Sequence, residues 1–396
     1  MSRTPSPADT TGRPRVRDLA IAILSGGLLV LLAPAIGEFR RWLRLSFPGH
    51  FVTIVAVGIG VAGAIALGLA IWRIRDRRGL RFGAIALAVI IAVAYSMRSS
   101  LGNPESDVVE HVHFIEYGLV TWLFYRAWAP LGDASVLMTA TLAALTIGTC
   151  EEWFEWFVPA RVGELRDIFL NTAAIGSGAL FSWALQPLAV WLPFRSAQSI
   201  RHTLVVAAIA TAALALFVDT VHVGFEIRDA DGRTFRSIYT DVELRALSAD
   251  RATRWAANPP LARPARFSRE DQYASEGLLH VQARNTFWTS HEIARSWHEN
   301  RLLEEYFAPV LDTPSYVSRT GHRWAPEQRA DAELRLGGPG DNAAEFVSHA
   351  QGAFPIFTWS RRWFRTGSAL FVIVLLALAV VLGRRVDYPV PRGAHG

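Results

Sequence analysis

Hydrophobic and polar positions fall into long blocks along this chain, not into the short alternation of a soluble fold. Eight apolar segments stand out, at about 19–36, 51–72, 80–97, 108–128, 134–157, 167–192, 203–219 and 367–383. Most approach the roughly 20 residues that a spanning helix needs. The third is short, and the fourth and fifth carry acids. At Asp219 the pattern changes to a mixed one that lasts to residue 366. Within it, residues 223–227 and 234–240 flank Asp229-Ala230-Asp231-Gly232, which predicts a β-hairpin with an Asp-Gly turn. Residues 241–257 and 268–305 have helical periodicity. Asn258-Pro259-Pro260, Arg263-Pro264, Asp312-Thr313-Pro314 and Gly337-Gly338-Pro339-Gly340 read as turns.

The predicted fold class is mainly α, a polytopic transmembrane bundle of about eight helices with a small extracytoplasmic α+β domain. Residues 1–17 form a disordered cytoplasmic tail and 18–219 a seven-helix membrane bundle. Residues 220–366 form the extracytoplasmic domain, and 367–396 the last transmembrane helix with a cytoplasmic tail.

Composition agrees with a membrane protein. The 396 residues are 51% hydrophobic, and the mean hydropathy is +0.22, too apolar for an ordinary soluble chain. Every basic residue is Arg, with no Lys, and the net charge is +5. This balance does not point to nucleic acid, because most of the arginines flank apolar segments, where they set topology. Arg3, Arg13, Arg15, Arg17, Arg73, Arg75, Arg77, Arg78, Arg81, Arg126, Arg195, Arg201, Arg384, Arg385 and Arg392 fall on the cytoplasmic side if both termini are inside. Fewer fall outside: Arg40, Arg41, Arg44, Arg98, Arg161 and Arg166. The Arg40-Arg41-Trp42-Leu43-Arg44 run goes against this rule and reads either as an interfacial amphipathic turn or as a sign that the first hairpin crosses differently. Segment 19–36, behind Arg13, Arg15 and Arg17, reads as a signal anchor and not as a cleaved signal peptide. Cys150 is the single cysteine, so no intramolecular disulfide forms, and an inert buried thiol is its default reading.

Candidate chemistry lies between Val108 and Gly178. With the stated orientation the fourth helix starts outside, the fifth ends outside and the sixth starts outside. Glu110, His113, Glu116, Glu151, Glu152, Glu155, Arg161, Asp167 and Asn171 then share the outer leaflet. Ionisable groups in membrane helices are costly and usually functional. His113, Glu116 and Tyr117 fall on one helix face, and Asp167 and Asn171 on another, above a small-residue stripe of Ala174 and Gly178. On a catalytic reading, Glu152 is the base and His113 or Glu155 the acid. Arg161 grips a phosphate and Asp167 orients it; Asn171, Glu116 and Tyr117 complete a binding site.

These residues resemble the VanZ-like membrane proteins. One signature stretch has the form His-Phe-x-x-Tyr-x-x-Leu, here His113-Phe114-Ile115-Glu116-Tyr117-Gly118-Leu119, with Leu119 one position early. The other has an acid-Glu pair, then Gln, Phe, Pro-Gly-Arg, and Asp-x-x-x-Asn. Here those positions are Glu151-Glu152, Glu155, Phe157, Pro159-Ala160-Arg161, Asp167 and Asn171. The chain departs from the pattern at Glu155, Ala160, Ala174 and Glu110. The resemblance covers roughly 80–190, less than a third of the chain. It implies a protein of the bacterial cytoplasmic membrane with an envelope role of the glycopeptide-tolerance type. Its ligand would be lipid-linked or cell-wall-related, and no cofactor or metal is implied.

Other readings compete. The acids and Arg161 could form a buried ion-pair network that fixes helix register. The protein would then be a non-enzymatic scaffold whose extracytoplasmic domain recruits an envelope protein or an anionic polymer. A metal site at His111, His113, Glu116 and Glu152 is weak, because His-x-His splits the rings between helix faces. Ion transport lacks acids on the inner halves of the helices. In the extracytoplasmic domain, His291 and His298, with Glu292 and Glu299 beside them, read as one polar helix face. Trp288, Trp297, Ile293 and Leu302 read as core, and 359–365 as an interfacial anchor. Ser177, between Gly176 and Gly178, lacks the strand-turn-helix context of a nucleophile elbow.

Overall fold

A computed structural model describes residues 14–99, 104–158, 163–188, 194, 196–258, 272–314, 318, 320–336, 341–350 and 355–382. Most of the N-terminal tail, Pro159-Ala160-Arg161, the turns at 259–264 and 337–340, and residues 383–396 lie outside the described residues. The chain is mainly helical. Six of the described helices are long and apolar enough to cross a membrane, the pattern of a multi-pass membrane protein. They are α1 (Val16–Ser46), α2 (Phe51–Arg73), α3 (Arg78–Ser99), α7 (Leu165–Leu185), α8 (Ala197–Val221) and α14 (Arg361–Leu382). The acid-bearing segments form α4 (Pro104–Glu110), α5 (Val112–Trp128) and α6 (Ser135–Glu155). The fourth apolar segment, read as one helix, is therefore broken at His111. The first helix runs on to Ser46, so the Arg40–Arg44 run is helical and not a turn.

The described chain divides into two compact units. The first comprises Met1–Glu152, Leu165–Phe217 and Arg365–Gly396; the second comprises Trp153–Glu164 and Val218–Phe364.

In the first unit, hydrogen bonds and ion pairs sort the helix ends. At one end the Arg15 N–H donates to the Ala127 carbonyl at 2.9 Å, and Arg126 lies 3.5 Å from Asp18. Buried Arg81 donates to the carbonyls of Ala184 and Leu185 at 2.6 and 3.0 Å, and Arg73 to Leu185 at 3.3 Å. A guanidinium at a helix C-terminus satisfies carbonyls that have no partner within the helix and complements the helix dipole. Fully buried Asp133 accepts from Ser199 at 2.7 Å at this same end. At the opposite end Arg44 pairs with Glu105 at 2.9 Å, above an apolar cluster of Leu43, Phe51, Val108 and Val109. The helices thus alternate in direction. α7 is buried along most of its length, whereas α2 and α14 are exposed almost all round. Apolar surface of that kind suits a lipid solvent.

α5 and α7 cross at two glycines. A Cβ on Gly178 would stand 2.7 Å from the Gly118 Cα and 3.2 Å from Thr121. The small-residue stripe expected on this helix does allow close packing, and Ala174 is fully buried within it.

The second unit holds a two-stranded antiparallel sheet, β1 (Phe225–Arg228) with β2 (Thr234–Ser237), in the register Phe225↔Ser237 to Arg228↔Thr234. Gly232 takes φ +93° in the connecting turn. On the far side of β2, Thr234 bridges to Val347. α9 (Asp241–Ala257) starts with a capping box, in which Thr240 and Glu243 each accept from the other's backbone N–H. α10 (Gln272–Thr289) and α11 (Ile293–Tyr306) pack on the hairpin, followed by α12 (Ala308–Leu311) and α13 (Pro326–Leu334). The core gathers Phe235, Leu244, Tyr273, Leu302, Tyr306 and Phe307. The helical stretch read over 268–305 is thus broken, and His291 sits in the break at φ +61°. His291 and His298 do not share a helix. Trp288 and Trp297 pack on Trp324, with ring centroids 5.5 and 6.3 Å away, apart from that core.

Candidate functional site

The candidate site lies in the first unit, where α5, α6 and α7 meet at the end that carries Glu105 and Glu110. Tyr117 is fully buried, and its hydroxyl donates to Glu151 on α6. The His113 ring stacks on Tyr117 one turn earlier, with centroids 6.3 Å apart and planes 11° from parallel. This is the i, i+4 relation expected for one helix face. Glu116, between them, is half-buried. Glu151 and Glu152 are both buried near the end of α6.

α7 supplies Asp167 and Asn171. Asp167 lies in the first turn, half-buried, 3.9 Å from Arg166, where the helix dipole favours a carboxylate. Arg166 also pairs with Glu110 on α4, and Glu110 accepts from Ser99 at 3.4 Å. Asn171 is fully buried, and neither its Nδ2 nor its Oδ1 has a hydrogen-bond partner. His113 Nδ1 is in the same condition. The closest approach is at Gly148. A Cβ there would stand 3.1 Å from the Tyr117 ring and 3.2 Å from Asn171 Nδ2. Gly148 is therefore what lets the Tyr117 ring and the Asn171 amide share one wall of α6.

Not every predicted residue joins this group. Glu155 is buried at the end of α6, but it groups with the second unit. Arg161 lies outside the described residues. Three participants were given no role by sequence reasoning, although Glu151 and Arg166 were named. Glu151, not Glu152, is the carboxylate that Tyr117 meets. Arg166 is the cation beside Asp167 and Glu110. Gly148 carries no signal until the helices are in register, although Arg166 stands next to Asp167 in the chain. Among the described residues no group of three or more His, Cys, Asp or Glu could hold a metal ion, and His111 lies in the break before α5.

Chemically the site offers a phenol already committed to a carboxylate, a second buried carboxylate and an uncommitted amide. A buried amide without partners costs about 1–3 kcal/mol. It is the kind of group that a polar ligand stabilises. Comparison with protein-family models, with curated proteins and with solved structures gives no match.

The second unit buries a different polar set. Glu276 accepts from the Ser237 hydroxyl at 2.6 Å and the Ile238 N–H at 3.0 Å. His280 Nδ1 lies 2.7 Å from Glu299, which also accepts from Ser348. Asp229 is held by Arg233 at 2.6 Å. Arg284 donates to Asn300 and to the His322 carbonyl, at 3.0 and 2.8 Å, and burial lowers its pKa to about 10.

Proposed function

We propose that this chain is a VanZ-like protein of the bacterial cytoplasmic membrane. Its site at α5, α6 and α7 binds the polar head of a lipid-linked or cell-wall-related molecule in the outer leaflet. One observation carries the reading: Asn171 is fully buried and unpartnered beside the Tyr117–Glu151 pair. A network serving only to fix helix register is expected to close on itself. Arg15, Arg73, Arg81 and Arg126 gather at the end opposite the site, which supports a cytoplasmic location for that end. Residues 220–366 are then extracytoplasmic. Binding is what Asn171 supports. If the bound molecule is also processed, Glu152 is the base and His113 the acid.

The test is to replace Glu152 with Gln and Asp167 with Asn in the native host. Protein level in the membrane and melting in detergent are measured beside growth under envelope stress, including a glycopeptide. Normal accumulation and melting with loss of the growth phenotype is the expected outcome. Poor accumulation or a much lower midpoint would assign the acids to helix register. An unchanged phenotype would leave the scaffold reading, with the second unit recruiting a partner.

A further inference from the structure

Two serines on neighbouring strand segments reach two glutamates on neighbouring helices inside the second unit. Ser237 ends β2 and meets Glu276 of α10. Ser348 lies on the segment that flanks β2 on its other side, and meets Glu299 of α11. His280, one turn along α10 from Glu276, closes the set against Glu299. All five residues are buried. Around them are the Phe235 and Phe307 rings, 5.5 and 5.2 Å from the His280 ring.

The charges do not balance. Glu276 is held by a hydroxyl and a backbone N–H, both neutral donors, and no guanidinium is bonded to it among the described contacts. Asp229 in the same unit shows the alternative, a buried carboxylate on a guanidinium. Two carboxylates and one imidazole in an apolar setting favour retention of a proton, because each buried unpaired charge is costly.

We propose that Glu276, His280 and Glu299 form a proton-holding latch that fastens the β1–β2 hairpin to α10 and α11, and that loss of its proton loosens the hairpin. The latch sits at the hairpin's base. Ser237 pairs with Phe225, and the Gly224 N–H just before it donates to the Phe357 carbonyl at 2.9 Å. Both ends of the second unit's chain meet here, since Phe357 in turn donates to His222 at 2.7 Å.

The sign of the pH effect follows from Glu276. Burial pushes its pKa up from the ordinary carboxylate value of 4.5 to about 7, against the two hydrogen bonds and His280, which lower it. The folded unit then holds a proton that the unfolded chain has released. Its contribution is fully present below the unfolded value and is lost as pH rises through about 7.

The experiment uses the full chain in detergent. Thermal midpoints are read by limited proteolysis on fragments from residues 218–364, between pH 5.5 and 8.5. In the wild type the midpoint should fall by several degrees as pH rises. Glu276→Gln should remove most of that slope. Ser237→Ala keeps the carboxyl and takes away a donor to its charged form, so the fall should start as in the wild type but continue to a higher pH. A flat or rising wild-type profile overturns the latch, as does an unchanged slope in Glu276→Gln. If Glu276→Gln does not accumulate, an unshifted Ser237→Ala profile overturns it equally.

Discussion

Two buried polar clusters, one in each unit, are satisfied in opposite ways. In the second, Glu276 takes hydrogen bonds from Ser237 and Ile238, Glu299 from Ser348 and His280, and Asp229 takes a guanidinium. In the first, Tyr117 and Glu151 satisfy each other, yet Asn171, against the same glycine, is left without a partner. A closed network stabilises the arrangement that it joins. An open one within an apolar bundle costs stability, about 1–3 kcal/mol for an unpartnered amide. On the proposed reading the difference separates a fastening from a site.

Glycines offer the harshest way to break each arrangement, and the comparison predicts unequal losses. A Cβ on Gly224 would fall 2.2 Å from the Ser237 carbonyl oxygen and 2.6 Å from Ile356. Both are fixed by the hairpin's base, so Gly224→Ala should cost about 3 kcal/mol or more. Gly178→Ala meets the Gly118 Cα at 2.7 Å, but two helices can slide apart at a smaller cost, about 1–3 kcal/mol. Calorimetry of the full chain in detergent checks both, with proteolysis assigning each transition to its unit. A Gly178 variant that loses more than the Gly224 variant would reverse the ranking and place the tighter constraint in the bundle.

The sequence carried the elements better than their ends. Long apolar runs leave few alternatives to a helix, and the hairpin had its Asp-Gly turn and flanking strands. Breaks were harder. The periodic pattern passes through His111 and through His291 almost undisturbed, because a break of one to three residues hardly shifts the helical phase. The first helix overran its apolar stretch because Arg41 pairs with Glu38 at 3.5 Å and Arg44 with Glu105 at 2.9 Å, which keeps a polar stretch helical. At the site, residue type and spacing were legible, including the shared face of His113 and Tyr117. Partner choice was not. Glu151 and Glu152 are adjacent, and only the rotation of α6 decides which one meets Tyr117. The charge imbalance at Glu276 was not visible either, because Ser237 and Ile238 are brought to it by the fold.

The smallest expected effect is also the sharpest test of the comparison. Gln272, at the first turn of α10, is buried with both amide atoms unpartnered, as Asn171 is. No stacked aromatic pair or carboxylate is joined to it among the described contacts, so it is the right control for Asn171. Asn171→Leu and Gln272→Met each replace an unpartnered amide with an apolar group of similar shape. Each should raise its unit's stability by about 1–2 kcal/mol, the reverse of what most buried substitutions do. The two should then part company. On the proposed reading Asn171→Leu should abolish growth under envelope stress, because the amide would no longer meet a ligand, while Gln272→Met should leave that growth intact. If both variants lose stability, both amides have partners in the cell and the contrast between the units disappears. If Asn171→Leu is more stable and still fully functional, the amide serves no ligand, and the acids around it hold helices and nothing more.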